Sequence, residues 1–296
     1  MRRIGTVVKR TLVKFYDDQM THHAAALTYY SLMSLFPACL LALSLLGLVG
    51  QYPSTYDAII GYLRDVAPAS VVSPLDSSLR TALQAKGTAV TTLVISTVAA
   101  FYGTTGVLEA ARRALNVAFE LEGGGRSFLR RKTIDIASTL VLGTLILVSL
   151  IMVFVGGRLA EDLLGFIGFG STVAEVWNTA RWPAALFVAM LVYAFIYYVT
   201  PDVHQRGFRW ITPGAVVGVL LWLSASYGLG YYLGKVPNVG ALYGAFTGAI
   251  LLVGWLWLTN VTLLLGAELN AEIEREKELV DGVPHDATLN RPVRGE

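Results

Sequence analysis

Residues 240–274 read GALYGAFTGAILLVGWLWLTNVTLLLGAELNAEIE, and within them residues 243–267 form a run of 25 without a charge. At about 1.5 Å of rise per residue, such a run crosses a hydrocarbon core of roughly 30 Å with some tilt. A helix of that length, apolar on every side, has no place on the surface of a soluble domain. The chain therefore reads as a membrane protein. Gly240, Gly244 and Gly248 recur at every fourth residue, the small-residue spacing that lets two helix backbones approach closely in lipid. With Thr259, Thr262 and Gly266, the later two glycines share one arc of the helix, broken by Leu251 and Trp255. Gly240, Gly244, Gly248 and Gly266 are accordingly expected to be helix-packing positions facing the inside of a bundle.

Working outward, composition agrees. Of 296 residues, 54% are hydrophobic and 15% charged, well below the charge of soluble domains at roughly 25%. A net charge of +2 gives no ground for nucleic-acid binding. The lone cysteine, Cys39, excludes an intrachain disulfide and a multi-cysteine zinc site. Neither a HExxH pair nor a phosphate-binding glycine loop is present in the sequence. The basic start of the chain is not followed by the short apolar run and small-residue cleavage site of a secretory signal.

Six segments free of Lys and Arg can span: about 28–49, 88–108, 134–157, 182–200, 211–233 and 243–267. Lys and Arg number 17 in the N-terminal arm, the second and fourth connections and the tail, against 6 in the alternate connections. The positive-inside rule then puts both termini in the cytoplasm. Ile4, Val7, Val8, Leu12 and Phe15 recur at helical spacing among Arg3, Arg10 and Lys14, an amphipathic helix suited to an anionic membrane surface. In the first outer loop, Ser73-Pro74 followed by Leu75, Leu79 and Leu83 predicts short amphipathic helices. The second span reads as continuing into the cytoplasm until the glycines at 123–125 stop it, and Pro183 and Pro213 read as standing near helix starts. The expected fold is all-α and polytopic, with six transmembrane helices. An N-terminal arm covers 1–27, the bundle 28–267, and a charged tail 268–296 is disordered at its end.

Polar groups inside a bilayer need a reason. Tyr30, Ser34 and Pro37 share a face of the first span, and Pro37 should free a backbone carbonyl and bend it. Tyr102, Thr105, Gly106, Glu109, Arg113 and Asn116 form a stripe on the second, with Glu109 and Arg113 spaced to pair. Asp135 stands just inside the third span, and Glu268 and Asn270 close the sixth. If these elements pack together, Tyr30, Ser34, Pro37, Glu109, Arg113, Asn116, Asp135, Glu268 and Asn270 line a polar vestibule open to the cytoplasm. Interfacial capping and snorkelling account for the same residues without a substrate. Asp17, Asp18, His22 and His23 have metal-ligand character, but an i,i+4 pair beside a membrane is ordinarily solvated. No catalytic residue, metal or cofactor is expected.

Four stretches add a resemblance: YYSLMSLFP at 29–37, ALN at 114–116, WITPGA at 210–215, and LYGAF at 242–246 followed by LLLGAELNAE at 263–272. In this order, over roughly residues 10–275, the chain resembles the YihY/BrkB family of bacterial inner-membrane proteins, once labelled ribonuclease BN. The resemblance implies a six-helix plasma-membrane protein with a part in envelope integrity, and it brings no catalytic residues with it. The expected role is that of a transporter or lipid-handling protein. A non-transporting scaffold is the alternative, and a membrane-bound ribonuclease comes last. Membrane lipids, a small-molecule or lipid substrate and a second copy of the chain are the partners in view, nucleic acid not among them.

Overall fold

The computed structural model describes residues 2–49, 56–57, 60–61, 76, 80, 86–121, 126–154, 160, 171–203, 211–235 and 247–282. Among them seven long helices follow one another: α1 (Arg2–Asp17), α2 (Met20–Val49), α3 (Lys86–Ala118), α4 (Phe128–Phe154), α5 (Ser171–Val199), α6 (Pro213–Lys235) and α7 (Thr247–Val280). Six of them, α2 to α7, are long and apolar enough to cross a membrane. No more than 28% of the most apolar stretch of any of them is buried. Side chains such as Phe36, Ile95, Leu147 and Leu220 stand open, and lipid is the solvent that matches them. Gly240, Gly244, most of the first outer loop, the glycines at 123–125 and the tail beyond 282 lie outside the described residues.

Several helices outrun the apolar spans, because hydropathy marks only the part that needs lipid. α2 begins at Met20 rather than 28, and α5 at Ser171 rather than 182. Pro183 therefore lies inside α5, not near its start, where it leaves the carbonyl of Thr179 without its helical donor. Pro213 does open α6: the Thr212 hydroxyl accepts from the Ala215 amide at 3.1 Å, so Thr212 is the N-cap. The end of α3 corrects a second expectation. It closes at Ala118, ahead of the glycine run, with Glu120 in the left-handed region at φ 51°. The Leu121 amide reaches the Asn116 carbonyl and the Glu120 amide that of Val117, both at 2.9 Å, which is a Schellman stop built without glycine. Gln19, at φ 53°, also takes the left-handed conformation at the break between α1 and α2, where its amide reaches the Tyr16 carbonyl at 3.0 Å.

The chain divides into two compact units, Met1–Thr28 with Leu108–Glu296, and Tyr29–Val107. In the larger unit α7 packs chiefly on α6, α5 packs on α4 and α6, and α1 lies against α7. Its core gathers Leu115, Phe119, Tyr193, Tyr197, Val219 and Leu263. α6 and α7 meet backbone to backbone, since a Cβ on Gly214 would strike the Gly266 carbonyl and one on Gly266 the Gly214 carbonyl. One turn on, a Cβ on Gly218 would stand 3.1 Å from the Thr262 carbonyl and from the Tyr193 ring. Gly266 is thus a packing glycine, and its partners Gly214 and Gly218 lie on α6. Around Gly248 no described atom lies within 4 Å of an added Cβ.

In the smaller unit α2 and α3 also approach through glycine. A Cβ on Gly103 would stand 2.8 Å from the Ser34 Cα, and one on Gly106 2.8 Å from the Tyr30 ring. α2 is helical through Pro37.

Candidate functional site

Toward its end α3 reads VLEAARRALN over residues 107–116, in which Glu109, Arg112 and Arg113 follow one another closely. Sequence spacing pairs Glu109 with Arg113, and the two do meet at 3.4 Å, but Arg113 is 75% exposed. Such a solvated pair contributes little. The buried cation is its neighbour. Arg112 is 2% exposed; it donates to the Glu109 carboxylate at 2.6 Å and to the Asp135 carboxylate of α4. Its Nε lies 3.7 Å from the Asp202 carboxylate, just beyond α5.

Asp202 is held from three sides. Its backbone amide donates to the Asn116 side-chain oxygen at 2.9 Å, and the Asn116 amide returns a bond to its carboxylate at 3.4 Å. Arg126 lies 3.5 Å from the same carboxylate and donates to the carbonyls of Val199 and Pro201 at 3.0 and 3.1 Å. Arg126 therefore closes the C-terminus of α5, where the helix dipole favours a cation. Arg112, Arg126, Asp135 and Asp202 are all buried. Among these four buried groups two cations face two carboxylates and their charges cancel, which is what makes their burial tolerable.

A second charged group lies between α1 and the far end of α7. Lys14 donates to Glu120 at 2.6 Å, Arg275 donates to the same carboxylate, and Arg275 Nε lies 3.4 Å from Glu272. Arg10 adds a bond to Glu276 at 3.2 Å. Burial alone would push the Glu120 carboxyl up, but the bonds and charges of Arg275 and Lys14 outweigh it and hold the group below its usual value. Burial likewise opposes the Lys14 charge, and Glu120 reverses this, so the amine is held above its usual value. The side chain that draws Glu120 into this clamp also anchors the left-handed turn that ends α3.

The vestibule residues are distributed as follows. Glu109, Asn116 and Asp135 meet in the charge knot, with Arg113 at its exposed edge. Asn270 lies elsewhere: its side-chain oxygen accepts from the Gly214 amide at 2.8 Å and its amide donates to Thr212 at 3.0 Å, so it ties α7 to the start of α6. Glu268 is buried beside the α1 clamp. Tyr30, Ser34 and Pro37 belong to the other compact unit, where Tyr30 and Ser34 pack on glycines. Among the described residues no group of three or more His, Cys, Asp or Glu can hold a metal ion. Sequence reasoning missed Arg112, Arg126 and Asp202. Position carries no sign of which of two adjacent arginines turns inward, and Asp202 looks like an ordinary loop acid after Pro201.

Six apolar helices, three of them with buried paired charge at their ends, define a polytopic all-helical membrane protein. The chain belongs to the virulence factor BrkB family, whose sequence profile matches residues 11–288. It is 30% identical over 265 residues to the putative ribonuclease-like protein YfkH of Bacillus subtilis, covering 88% of this chain and 93% of that one. UPF0761 membrane proteins of Xanthomonas campestris and Xanthomonas axonopodis are 24% identical over 257 residues, 86% of this chain. The match spans 58% of the length of these Xanthomonas relatives. No solved structure matches the chain.

Proposed function

We propose that this chain is a bacterial inner-membrane protein with a transport or lipid-handling role in envelope integrity, both termini lying in the cytoplasm. The observation that carries the reading is the knot of Arg112, Arg126, Asp135 and Asp202, buried at the ends of spanning helices. Charges removed from water beside a bilayer are costly, and in membrane proteins they mark pathways and recognition sites. A substrate with an ionised head, such as a phospholipid or a small organic ion, is the class such a site can recognise by exchanging one ion pair for another. Glu109 and Arg113, at the exposed edge, give that substrate its first contact.

The test is flux through liposomes carrying the purified protein, read with fluorescent phospholipids and with charged solutes. Flux above that of empty liposomes, lost in Asp202→Asn while the protein stays folded, supports the reading. Vesicles indistinguishable from empty ones for both probe types overturn it. A scaffold is the second reading, favoured by the filled contact between Gly214 and Gly266, which leaves no passage between α6 and α7. It is supported if the protein elutes as a stable homo-oligomer without flux. The ribonuclease-like name belongs to the Bacillus relative. No hydrolytic step is assigned to this chain, and RNA incubated with the pure protein and a divalent cation should stay intact.

A further inference from the structure

We propose that Glu268 is a proton-binding site: its carboxyl, facing Glu272 and Asp18, holds one proton at neutral pH, and that proton is what lets α1 close on α7. The site stands whether or not anything is transported.

Glu268 is 1% exposed and its Oε1 has no hydrogen-bond partner among the described residues. One turn along the same face of α7, Glu272 is 2% exposed, and its Oε2 is also without a hydrogen-bond partner. The Asp18 carboxyl, in the turn between α1 and α2, likewise has a buried oxygen without a partner. The charges near enough to act on Glu268 are Asp18, Glu272 and Glu120 on the negative side and Lys14 on the positive. Arg275 lies beyond Glu272, and Arg10, which also acts on Glu272, is engaged with Glu276. His23 stands beside Asp18.

Charge balance decides the state of the group. Lys14 and Arg275 both spend their hydrogen bonds on Glu120. Among the described residues four carboxylates thus share these two cations, and the two without an ion pair there are Glu268 and Asp18. An isolated buried carboxylate costs several kcal/mol, whereas a carboxyl that takes a proton becomes neutral and gains an O–H donor for a neighbouring carboxylate oxygen. Two acids brought together in a low-dielectric pocket commonly share one proton for this reason. Burial pushes the Asp18 carboxyl up even against the Lys14 charge. The described residues offer no metal-binding group, and a proton is the cation that needs no coordination shell.

Loss of the proton leaves α7 with a second negative charge facing Asp18 and Glu120, across the contact that α1 makes with α7. Mildly alkaline solution should therefore loosen α1 before Lys14 itself begins to lose its proton. The experiment uses the full chain in lipid nanodiscs. Infrared difference spectra taken between neutral and alkaline pH should show a protonated carboxyl band that is present in the wild type and absent in Glu268→Gln. Hydrogen-exchange protection of α1 amides should fall about tenfold over the same interval in the wild type and stay level in Glu268→Gln, whose amide mimics the protonated acid. Glu272→Gln, which removes a charge that repels the ionised form, should shift the loss of the band to lower pH. A band that survives Glu268→Gln unchanged overturns the assignment. So does α1 protection that falls equally in both proteins. If sodium or potassium restores that protection at alkaline pH, the site takes an alkali ion, and the proton assignment is overturned in that case too.

Discussion

The α6–α7 contact and the knot at the ends of α3, α4 and α5 hold one compact unit together by opposite means. Along α6 and α7, the absence of side chains at Gly214, Gly218 and Gly266 brings backbones together, and the Tyr197 hydroxyl donates to the Leu263 carbonyl at 2.6 Å across the neighbouring helix. In the knot, long charged side chains reach across gaps and cancel one another. The first works because lipid offers no hydrophobic drive between helices, so close van der Waals contact must supply it. The second works only as a set, since each charge is tolerable while its partner remains. A glycine contact should therefore fail by degrees, and a charge knot all at once.

The sharpest way to break that contrast is Arg112→Ala, which strands Asp135 and weakens the hold on Asp202. A loss of about 3–5 kcal/mol is expected, read as a large fall in thermal midpoint in detergent. Pairing it with Asp135→Asn should recover much of that loss, and a strictly additive double variant would show that the two do not act as a pair. Next comes Gly266→Ala, whose methyl collides with the Gly214 carbonyl and the Tyr197 hydroxyl. It should cost about 1–3 kcal/mol, and Gly248→Ala, which meets none of the described residues, should cost far less. Smaller again is Asn260→Ala, which removes the 3.1 Å bond from the Asn260 amide to Thr28. Buried polar bonds between membrane helices are worth about 0.6 kcal/mol on average, so its midpoint should move only slightly.

The smallest expected effect is a pH dependence in the α1 clamp. Glu120 is held below its usual 4.5, so its contribution is present above that value and fades as the pH falls through the lowered one. Lys14 is held above its usual 10.5, so its contribution is complete below that value and is lost as the pH rises through the raised one. Lys14→Met should flatten both flanks of a plot of midpoint against pH, apart from the alkaline change assigned to Glu268. A plot identical to the wild type would show the clamp to be solvated and idle.

How far each region could be read in advance follows the same division. The small-residue rule picked out Gly266 but carried equal weight at Gly248, because spacing along one helix says nothing about where the partner helix passes. The stripe on α3 led to Glu109 and Asn116, yet it chose Arg113 over Arg112. One residue on a helix is a turn of about 100°, enough to exchange a solvated side chain for a buried one. The stop of α3 was read at the glycines because a left-handed glutamate has no local signature. Glu120 takes that conformation while Lys14 and Arg275, remote in sequence, grip its side chain.

The amino-acid order alone determined that this is a helical protein of the membrane with six spans, since uncharged runs of that length have no other stable solvent, and its landmarks sufficed to place it beside its family. Tertiary structure decided which glycines touch, which arginine is buried, and that Glu268 lies sealed beside α1 while Asn270 serves α6. Hydropathy is a property of each segment by itself. Charge pairing and backbone contact belong to segments far apart in the chain, and they exist only once the fold has brought those segments together.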